Sequence, residues 1–403
     1  MRSPWLLLAV AGCGFQIGSA GTTGDDAPPD APGDGGDPDA LPDGSVPATA
    51  CAQLALGSDH TCALRRSNGS VYCWGQNAFG ELGGGSMTTA VNLPMPTVDL
   101  SGRAYTTCAA ATDGTVRCWG YNDNGQIGDN SIGGTRGPTL VQGMAGAVQL
   151  AAGRSHVCAR RGDGSLRCWG SNTSGQLGDG TFTSHPSAVA DVSGLIGTAR
   201  VTAGGSHTCA HATDGRGWCW GDNTYQQLGD GTMTARSFAL AVPVQNVRRL
   251  GPASFSVPPD VGAQTCAIID GGEVWCWGDN AFGQLGNGLT ADSATPVRAT
   301  GIADAVELAM GRWHVCALRA TGQVSCWGRN YYGEVGDGTT QVRRAPVDVG
   351  LAGVVTVGAG GFHTCAINAA NEMFCWGLNG SGQLGDGTTI QRTSPVRSWN
   401  ICP

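Results

Sequence analysis

The chain has 403 residues, of which 41% are hydrophobic and 67 are glycine, and its 31 acidic and 23 basic side chains give a net charge of −8. No segment reaches the roughly 18 consecutive apolar residues that a transmembrane helix needs, which excludes a chain built on such helices. Helical periodicity is also lacking, and short β-rich or alternating stretches bounded by glycine predict an all-β protein.

The first 12 residues have the features of a lipoprotein signal peptide. Arg2 precedes the apolar run 5–11, and Val10-Ala11-Gly12-Cys13 matches the bacterial lipobox, in which cleavage occurs before the cysteine. Cys13 is therefore predicted to carry the lipid anchor. An ordinary signal peptide with a small-residue cleavage site is the alternative.

Residues 13–50 are predicted to be a disordered acidic tether. They contain seven aspartates and many prolines and glycines, with almost no apolar side chains to bury. Removing these seven acids and Arg2 leaves 24 acids and 22 bases, so the rest of the chain is near −2. The acidity of the chain belongs to the tether.

Residues 51–403 contain a sevenfold repeat marked by cysteine. Of 17 cysteines, 14 form seven couples, and the second member of each couple begins Cys-Trp-Gly. Successive Cys-Trp-Gly units lie 45, 50, 51, 57, 50 and 49 residues apart. A period of this length predicts one supersecondary unit repeated seven times.

The spacing within each couple fits a β-hairpin. When the two cysteines are placed opposite each other, every loop has Gly, or in the last copy Asn371, where a left-handed residue is needed. Each couple is therefore predicted to form a disulfide across its hairpin. The seven predicted disulfides are Cys62–Cys73, Cys108–Cys118, Cys158–Cys168, Cys209–Cys219, Cys266–Cys276, Cys316–Cys326 and Cys365–Cys375.

A second signature, Gly-x-Asn-x-x-Gly-Gln-Leu-Gly, follows Cys-Trp-Gly, for example at 170–178 and 278–286. Over about residues 51–403 the chain thus resembles the regulator of chromosome condensation repeat family, as a bacterial secreted or lipoprotein member. The resemblance implies a seven-bladed β-propeller with four short strands per blade. Copy four departs at Gln226, and copies two and five lack the Gly-x-x-His lead-in, so local changes of blade geometry are expected there.

Two further cysteines are predicted to close the ring. In the repeat alignment Cys51 and Cys402 fall within about two residues of each other, which suggests an eighth disulfide, Cys51–Cys402. Sixteen paired cysteines require an oxidising compartment. The chain is therefore expected to be exported and anchored in the outer membrane or at the cell surface of a Gram-negative bacterium.

Three repeated patterns could each indicate either a ligand site or a structural role. His-x-Cys in five copies could form His-Cys-Cys metal sites, but disulfides account better for the thiols. Asp-Gly-Thr loops could bind calcium, but they lack the spaced carboxylates of a calcium loop and are turn formers. The Cys-Trp-Gly tryptophans could stack on carbohydrate, but their fixed place favours packing between blades. No metal and no cofactor is therefore predicted.

Aromatic residues outside the repeat pattern are the candidate binding face. They lie in equivalent loops of four copies: Phe79, Tyr225, Phe282, Tyr331 and Tyr332. Aromatic side chains crowded on one rim are typical of a binding surface, although core filling explains them equally well. Trp313 and Phe362 also lie off the repeat.

The predicted function is non-enzymatic binding of an extracytoplasmic protein by a monomeric propeller. The resemblance implies exchange-factor, chromatin-binding or inhibitor roles, but a near-neutral ring argues against nucleic acid, and no GTPase is expected outside the cytoplasm. No residue set of the usual catalytic motifs appears. Polysaccharide adhesion is the alternative, and an envelope hydrolase is a weaker one.

Overall fold

A computed structural model describes residues 52–195, 197–254, 263–399 and 401. The predicted signal peptide 1–12, the lipidated Cys13, the tether 13–50 and the Cys51–Cys402 disulfide lie outside these residues.

The described residues form 27 strands in seven antiparallel sheets, one per repeat. Blade one contains β1 (Ala52–Leu56), β2 (His60–Arg65) and β3 (Ser70–Gly75). Blade two contains β4 (Thr97–Arg103), β5 (Thr106–Ala111), β6 (Val116–Tyr121) and β7 (Thr135–Leu140). Blade three contains β8 (Ala147–Ala152), β9 (His156–Arg161), β10 (Leu166–Gly170) and β11 (His185–Asp191).

The remaining four blades repeat the same order. Blade four contains β12 (Thr198–Ala203), β13 (His207–Ala212), β14 (Gly217–Gly221) and β15 (Arg236–Ala241). Blade five contains β16 (Val247–Ser254), β17 (Ala263–Ile269), β18 (Val274–Gly278) and β19 (Ser293–Arg298). Blade six contains β20 (Ala305–Met310), β21 (His314–Arg319), β22 (Val324–Gly328) and β23 (Arg343–Asp348). Blade seven contains β24 (Val354–Ala359), β25 (His363–Asn368), β26 (Met373–Gly377) and β27 (Arg392–Arg397).

The seven sheets close into a ring. The first strands of neighbouring blades contact one another, and β24 of blade seven contacts β1 of blade one. The first strands therefore surround the axis, and the fourth strands form the outer edge. An edge strand tolerates proline because its outward N–H has no partner to lose, which fits Pro138, Pro296, Pro346 and Pro395 in outer strands. The predicted seven-bladed, all-β propeller is confirmed.

Each cysteine couple closes the hairpin between the second and third strands. Cys108 lies directly opposite Cys118, and Ala109 opposite Arg117. The Cα atoms of each couple are 4.1 Å apart, and a disulfide joins them in all seven blades. The turn residue Gly114 has φ +76°, and Asn371 has φ +62° in the last copy. The disulfide-stapled propeller is therefore confirmed.

Blade one has three strands within the described residues, where the other blades have four. The N–H of Val91 donates to Val71 O, as that of Val141 donates to Val116 O in blade two. Only 18 positions separate Cys73 from Val91, against 23 from Cys118 to Val141. Blade one is thus five residues too short to hold both the Asp-Gly-Thr turn and a fourth strand.

The hydrophobic core is divided among the interfaces between blades. At the ring closure, Leu56 and Trp74 of blade one pack with Ile367, Met373 and Leu384 of blade seven. Equivalent clusters fill the other junctions, each around the tryptophan of one Cys-Trp-Gly unit. Burial between neighbours is therefore the main source of apolar stabilisation.

The repeat departures have different structural outcomes. Gln226 keeps the left-handed conformation of the glycine it replaces, with φ +65° against +81° for Gly175. In blade two, β4 extends so that Arg103 pairs with Thr106 across a tight turn, which is the expected local change of geometry. In blade five, residues 248–254 belong to β16, the longest of the described strands. Residues 255–262 are not among the residues that the structure describes.

Candidate functional site

The tryptophans of the seven Cys-Trp-Gly units join neighbouring blades. Each indole Nε1–H donates to the main-chain oxygen of the Gln or Glu in the Gly-Gln-Leu-Gly loop of the preceding blade, at 2.7–3.0 Å. Gly178 in one such loop lies so close that a Cβ there would be 2.6 Å from Trp220 Nε1. The predicted packing role is confirmed, and a carbohydrate-stacking role is excluded because these rings are at most 3% exposed. The seven pairs are Trp74–Gln383, Trp119–Glu81, Trp169–Gln126, Trp220–Gln176, Trp277–Gln227, Trp327–Gln284 and Trp376–Glu334.

The His-x-Cys histidines form a second set of inter-blade contacts, called here histidine clasps. Nε2 of His156 lies 2.8 Å from Thr208 Oγ1 in the next blade. Thr208 Oγ1 itself donates to Gln176 O, so it accepts from a neutral His156 protonated at Nε2. Burial lowers the pKa of His156 to about 3. The other clasps are His60–Thr107, His207–Thr265, His314–Thr364 and His363–Thr61.

The histidine clasps and the disulfides engage the histidine and cysteine side chains that suggested a metal site. The cysteines beside the histidines are in disulfides, and the histidine Nε2 atoms face threonine hydroxyls. Within the ranges that the structure describes, no group of three or more His, Cys, Asp or Glu side chains is arranged to hold a metal ion. The histidines belong to the propeller frame.

The threonine partners were not identified from the sequence, although a signal for them exists. Blades two and five have Thr106 and Gln264 at the histidine position. The blade after each has valine, Val157 or Val315, where the other blades have threonine. Histidine in one copy thus occurs together with threonine in the next, a pairing visible only when successive repeats are compared.

The Asp-Gly-Thr aspartates are saturated by internal contacts. Asp386 Oδ1 accepts from Thr388 N, Thr388 Oγ1 and Asn379 Nδ2. Its Oδ2 accepts from Arg392 Nε at 2.9 Å. The interpretation of these loops as turns rather than calcium sites agrees with this geometry, because the carboxylate oxygens hold the turn together.

Two kinds of connection lie on one face of the ring. Because the strands of a blade are antiparallel, the first-to-second and third-to-fourth connections emerge at the same end. This end is called the loop face, and the opposite end carries the cysteine hairpins. Four of the five aromatic residues predicted to form a binding face lie in third-to-fourth connections, and Phe79 follows β3 at the equivalent place in blade one, so all five lie on the loop face.

Aromatic and arginine side chains from blades five, six and seven meet on the loop face. Phe282 contacts Trp313 and Tyr331, with ring centroids 5.6 and 5.8 Å apart. Phe362 contacts Trp313 at 6.0 Å and Tyr332 at 5.6 Å. We call this cluster the aromatic–arginine patch: Phe282, Arg312, Trp313, Arg329, Tyr331, Tyr332 and Phe362.

The two guanidinium groups lie among the rings. The Arg329 Cζ atom lies 4.6 Å from the ring centroid of Trp313, 4.8 Å from Tyr331 and 5.1 Å from Tyr332. Arg312 lies over Trp313 at 3.9 Å. Such cation–π contacts hold both cations at the centre of the patch.

One carboxylate lies beneath the patch. Glu334 Oε1 is 3.7 Å from Arg329 Nη1, and its side chain is 1% exposed. Burial raises the pKa of Glu334 to about 7, despite hydrogen bonds from backbone N–H groups and the charge of Arg329. Near neutral pH this carboxyl therefore offsets only part of the positive charge of the patch.

The structure brings together three of the five predicted face residues, Phe282, Tyr331 and Tyr332. Phe79 belongs to a second cluster, in which it contacts Tyr105 and Tyr121 with centroids 5.0 and 5.2 Å apart. Tyr225 is half-buried in the equivalent loop of blade four and belongs to neither cluster.

Arg312 and Arg329 were missed because no motif contains them. Arg329 follows Cys-Trp-Gly at a position where the other copies carry unrelated residues, such as Leu378 and Ser171. A position that varies between repeats while its neighbours are fixed is the signal that could have found it.

These features define a class, a closed seven-bladed β-propeller in which repeat-borne residues hold the blades together and variable loop residues form a surface patch. Models of the Regulator of chromosome condensation (RCC1) repeat match more than half of the chain, at residues 68–116, 113–160, 163–211, 271–318 and 321–367, and a second model of the repeat matches 51–81, 147–176, 199–227, 305–334 and 354–383. The chain belongs to the RCC1 repeat family.

Several eukaryotic proteins are similar in sequence. Human E3 ubiquitin-protein ligase HERC2 is 32% identical over 251 residues, which are 62% of this chain and 4% of HERC2. The Ultraviolet-B receptor UVR8 of Arabidopsis thaliana is 30% identical over 254 residues, 60% of this chain and 56% of UVR8. The chain thus spans a small part of HERC2 and about half of UVR8.

Solved structures share the fold. Yeast RCC1 (Prp20), in its crystal structure bound to Kap60, superposes with a TM-score of 0.70 at 19% identity, over 88% of this chain and 86% of Prp20. Human WBSCR16 gives a TM-score of 0.66 at 21% identity, over 78% of this chain and 86% of WBSCR16. At this level of identity the likeness concerns the fold alone.

Proposed function

We propose that the protein is a non-enzymatic binding propeller, anchored in the cell envelope, that recognises a protein partner through the aromatic–arginine patch. The observation that carries this proposal is the patch itself. Its residues come from three blades, whereas repeat-borne histidines, tryptophans and aspartates hold the frame. Tryptophan, tyrosine and arginine are also the residues that most often dominate binding energy in protein interfaces.

The packing of the patch favours a protein partner over a polysaccharide. Sugar stacking needs an open aromatic face, but Trp313 is 5% exposed and two guanidinium groups lie over its ring. Tyr331, at 52% exposure, offers the accessible part of the patch. A small protruding aromatic beside partly buried cations suits insertion into a complementary protein surface.

The relatives support protein binding in general terms. A propeller of this fold, yeast RCC1 (Prp20), is bound to the protein Kap60 in its crystal structure. The partner of this chain is a separate question, since fold does not select among partners.

Export to an oxidising compartment is part of the proposal. Seven disulfides support it, because such bonds persist outside the reducing cytoplasm. Within the described ranges, no helix has the length and apolarity to cross a membrane. Lipidation of Cys13, in a Gram-negative outer membrane, is the proposed anchor. Replacing Cys13 with serine should release the protein from the membrane fraction of a bacterial host, and retention would contradict lipid anchoring.

Affinity capture tests the binding role. Disulfide-intact residues 51–403 serve as bait, with native envelope and culture fluid as prey. We expect one stoichiometric protein in the wild-type eluate, and its loss when Phe282, Tyr331 and Tyr332 are changed to alanine.

The matched control is Tyr225→Ala, because Tyr225 occupies the same loop position as Phe282 and Tyr332 in a blade outside the patch. This variant should retain the partner. Equal loss in both variants, or a partner that survives the triple substitution, would remove the patch from the proposal. Recovery of no protein, together with binding to a glycan array, would transfer the role to polysaccharide.

A further inference from the structure

Trp313 differs from the seven frame tryptophans in its hydrogen bonding. Each frame tryptophan donates its Nε1–H to a main-chain oxygen of the preceding blade. Trp313 is 5% exposed, and its Nε1–H has no acceptor among the described residues. A buried N–H without an acceptor is unfavourable, so a group that supplies one would bind with an advantage.

A second donor lies beside it. The Arg329 Nη1 atom is buried and also lacks a hydrogen-bond acceptor among the described residues, since Glu334 Oε1 at 3.7 Å is beyond hydrogen-bonding distance. The Arg329 Cζ atom is 4.6 Å from the Trp313 ring, so the two donors belong to one site. An acceptor carrying negative charge would satisfy both groups and pair with the guanidinium.

The balance of charge around these donors favours an anion. Arg312 adds a second cation over the Trp313 ring. The facing acids are Glu334, whose Oε2 already accepts from Tyr332 N at 2.7 Å, and Asp59 of blade one, which interacts electrostatically with Arg312. Burial raises the pKa of Glu334 to about 7, so this acid only partly cancels the arginines near neutral pH, and burial also raises the pKa of Asp59.

We propose that the aromatic–arginine patch recognises a carboxylate side chain, Asp or Glu, on the partner polypeptide, which accepts from Trp313 Nε1–H and pairs with Arg329. This inference rests on the proposed function and names the chemistry that the partner presents. A single carboxylate flanked by apolar side chains is complementary to Arg312 and Arg329, because these two cations lie among aromatic rings. A nucleic-acid backbone does not fit, because its repeated phosphates would need a broad basic surface, and the chain outside the tether is near −2.

Two matched peptide arrays test the inference with the full chain, purified with its disulfides intact. In the first array, random 12-residue peptides share a central Glu. In the second, the same peptides carry Gln, which keeps the shape and removes the charge. We expect the wild-type protein to prefer the Glu array about tenfold, the size of one charge-assisted hydrogen bond, with the preference falling as salt increases.

Two variants separate the donors from the apolar contacts. Trp313→Phe keeps an aromatic ring and removes one N–H, and Arg329→Gln removes the cation. Each should reduce the Glu preference to threefold or less. Tyr331→Ala should weaken binding to both arrays equally, because it removes apolar contact without changing either donor. Folding of each variant is checked by its seven disulfides and its unfolding temperature.

The outcomes distinguish the inference from the proposed function. Equal binding of Glu and Gln peptides that is lost in Tyr331→Ala would overturn carboxylate recognition and leave the patch as a protein-binding surface. A Glu preference that survives both Trp313→Phe and Arg329→Gln would also overturn it. Binding that depends on none of Trp313, Arg329 and Tyr331, or no binding to either array, would remove both proposals.

Discussion

At the residue scale, the backbone conformation is fixed at positions where the side chain departs from the repeat. Gln226 occupies a left-handed position, φ +65°, that glycine fills in the equivalent loops, as in Gly283 at φ +74°. A side chain in this region costs about 1–2 kcal/mol relative to glycine. The loop geometry is therefore imposed by the frame rather than by the local residue.

Replacing Gln226 with glycine should stabilise the propeller. The relieved strain is partly offset by the larger conformational entropy that glycine adds to the unfolded chain, so a gain of about 0.5–1 kcal/mol is expected. Urea unfolding of the two proteins measures it. A loss of stability would mean that the Gln226 side chain makes contacts worth more than the strain.

The buried histidines predict how stability depends on pH. Burial lowers the pKa of His60 to about 4, and those of His207 and His363 to about 3, from an unfolded value near 6.5. Their contribution is fully present above pH 6.5 and is lost as pH falls towards 3–4, because only the unfolded chain takes up protons in that range. Glu334 and Glu307, with pKa values raised to about 7, act in the opposite direction as pH rises above about 4.5.

Unfolding temperatures measured from pH 7 to pH 4 test this balance. Six histidines have pKa values lowered to about 3–4 and six acids have raised values, and because the histidine shifts span the whole range from pH 6.5 to pH 4, the temperature should fall on acidification. His60→Gln should flatten the slope, since Gln264 fills the same position in blade five without titrating. An unchanged slope in His60→Gln would exclude His60 as a source of the pH dependence.

At the scale of elements, the unit of stability is the junction between two blades. A tryptophan bond lies at every junction, and a histidine clasp lies at five of the seven junctions described. At the junctions after blades two and five, the two clasp positions carry Thr106 and Val157, and Gln264 and Val315, instead. Each clasp histidine follows a glycine by three residues, as His60 follows Gly57, and a Cβ at Gly57 would lie 2.0 Å from the His60 ring. In blade two Arg103 stands at this glycine position.

A double-mutant cycle at the junction of blades three and four tests the clasp. Thr208→Val should cost about 1–3 kcal/mol, because the buried His156 Nε2–H loses its acceptor. His156→Gln with Thr208→Val reproduces the pair found after blade five, so the double variant should lose less than the sum of the single ones. A coupling of about 1 kcal/mol is expected from urea unfolding. Strict additivity would show that the clasp contributes no interaction energy.

The sequence predicted what the repeat encodes locally. Cysteine spacing was sufficient for the hairpins and the left-handed turn residues, because both depend on a few neighbouring positions. The His156–Thr208 contact joins residues 52 positions apart, and the patch depends on which loops meet across blades five to seven. Such contacts require the ring itself, so the roles of Arg312 and Arg329 could not be predicted from motifs. The 45-residue spacing after the first Cys-Trp-Gly unit is the sequence signal for the three strands that blade one has within the described residues.

At the scale of the whole molecule, the ring closes through the contacts used elsewhere. Trp74 donates to Gln383 O at 3.0 Å, and Thr61 Oγ1 lies 2.8 Å from His363 Nε2. Arg65 Nε donates to Ile401 O at 2.8 Å, which places residue 401 beside blade one. In the sequence Cys51 precedes Ala52 and Cys402 follows Ile401, and Ala52 and Ile401 both lie in the hydrophobic cluster between blades seven and one.

Non-reducing peptide mapping tests that eighth disulfide, which lies outside the described residues. A linked peptide containing Cys51 and Cys402 is expected. Cys51→Ser should then lower the unfolding free energy, by up to about 6 kcal/mol in the chain-entropy model for a loop of this length. Alkylation of Cys51 as a free thiol in the wild-type protein would rule the bond out.

The closure of the ring also means that no junction is topologically privileged. Each of blades two to seven takes its four strands from one continuous segment, and blade seven meets blade one through side chains rather than through an exchanged strand. A circularly permuted gene, with the original ends joined by a short linker and new ends opened between two other blades, should therefore encode the same ring. The architecture would then be determined by the order of the blades around the axis and not by the blade at which the chain begins.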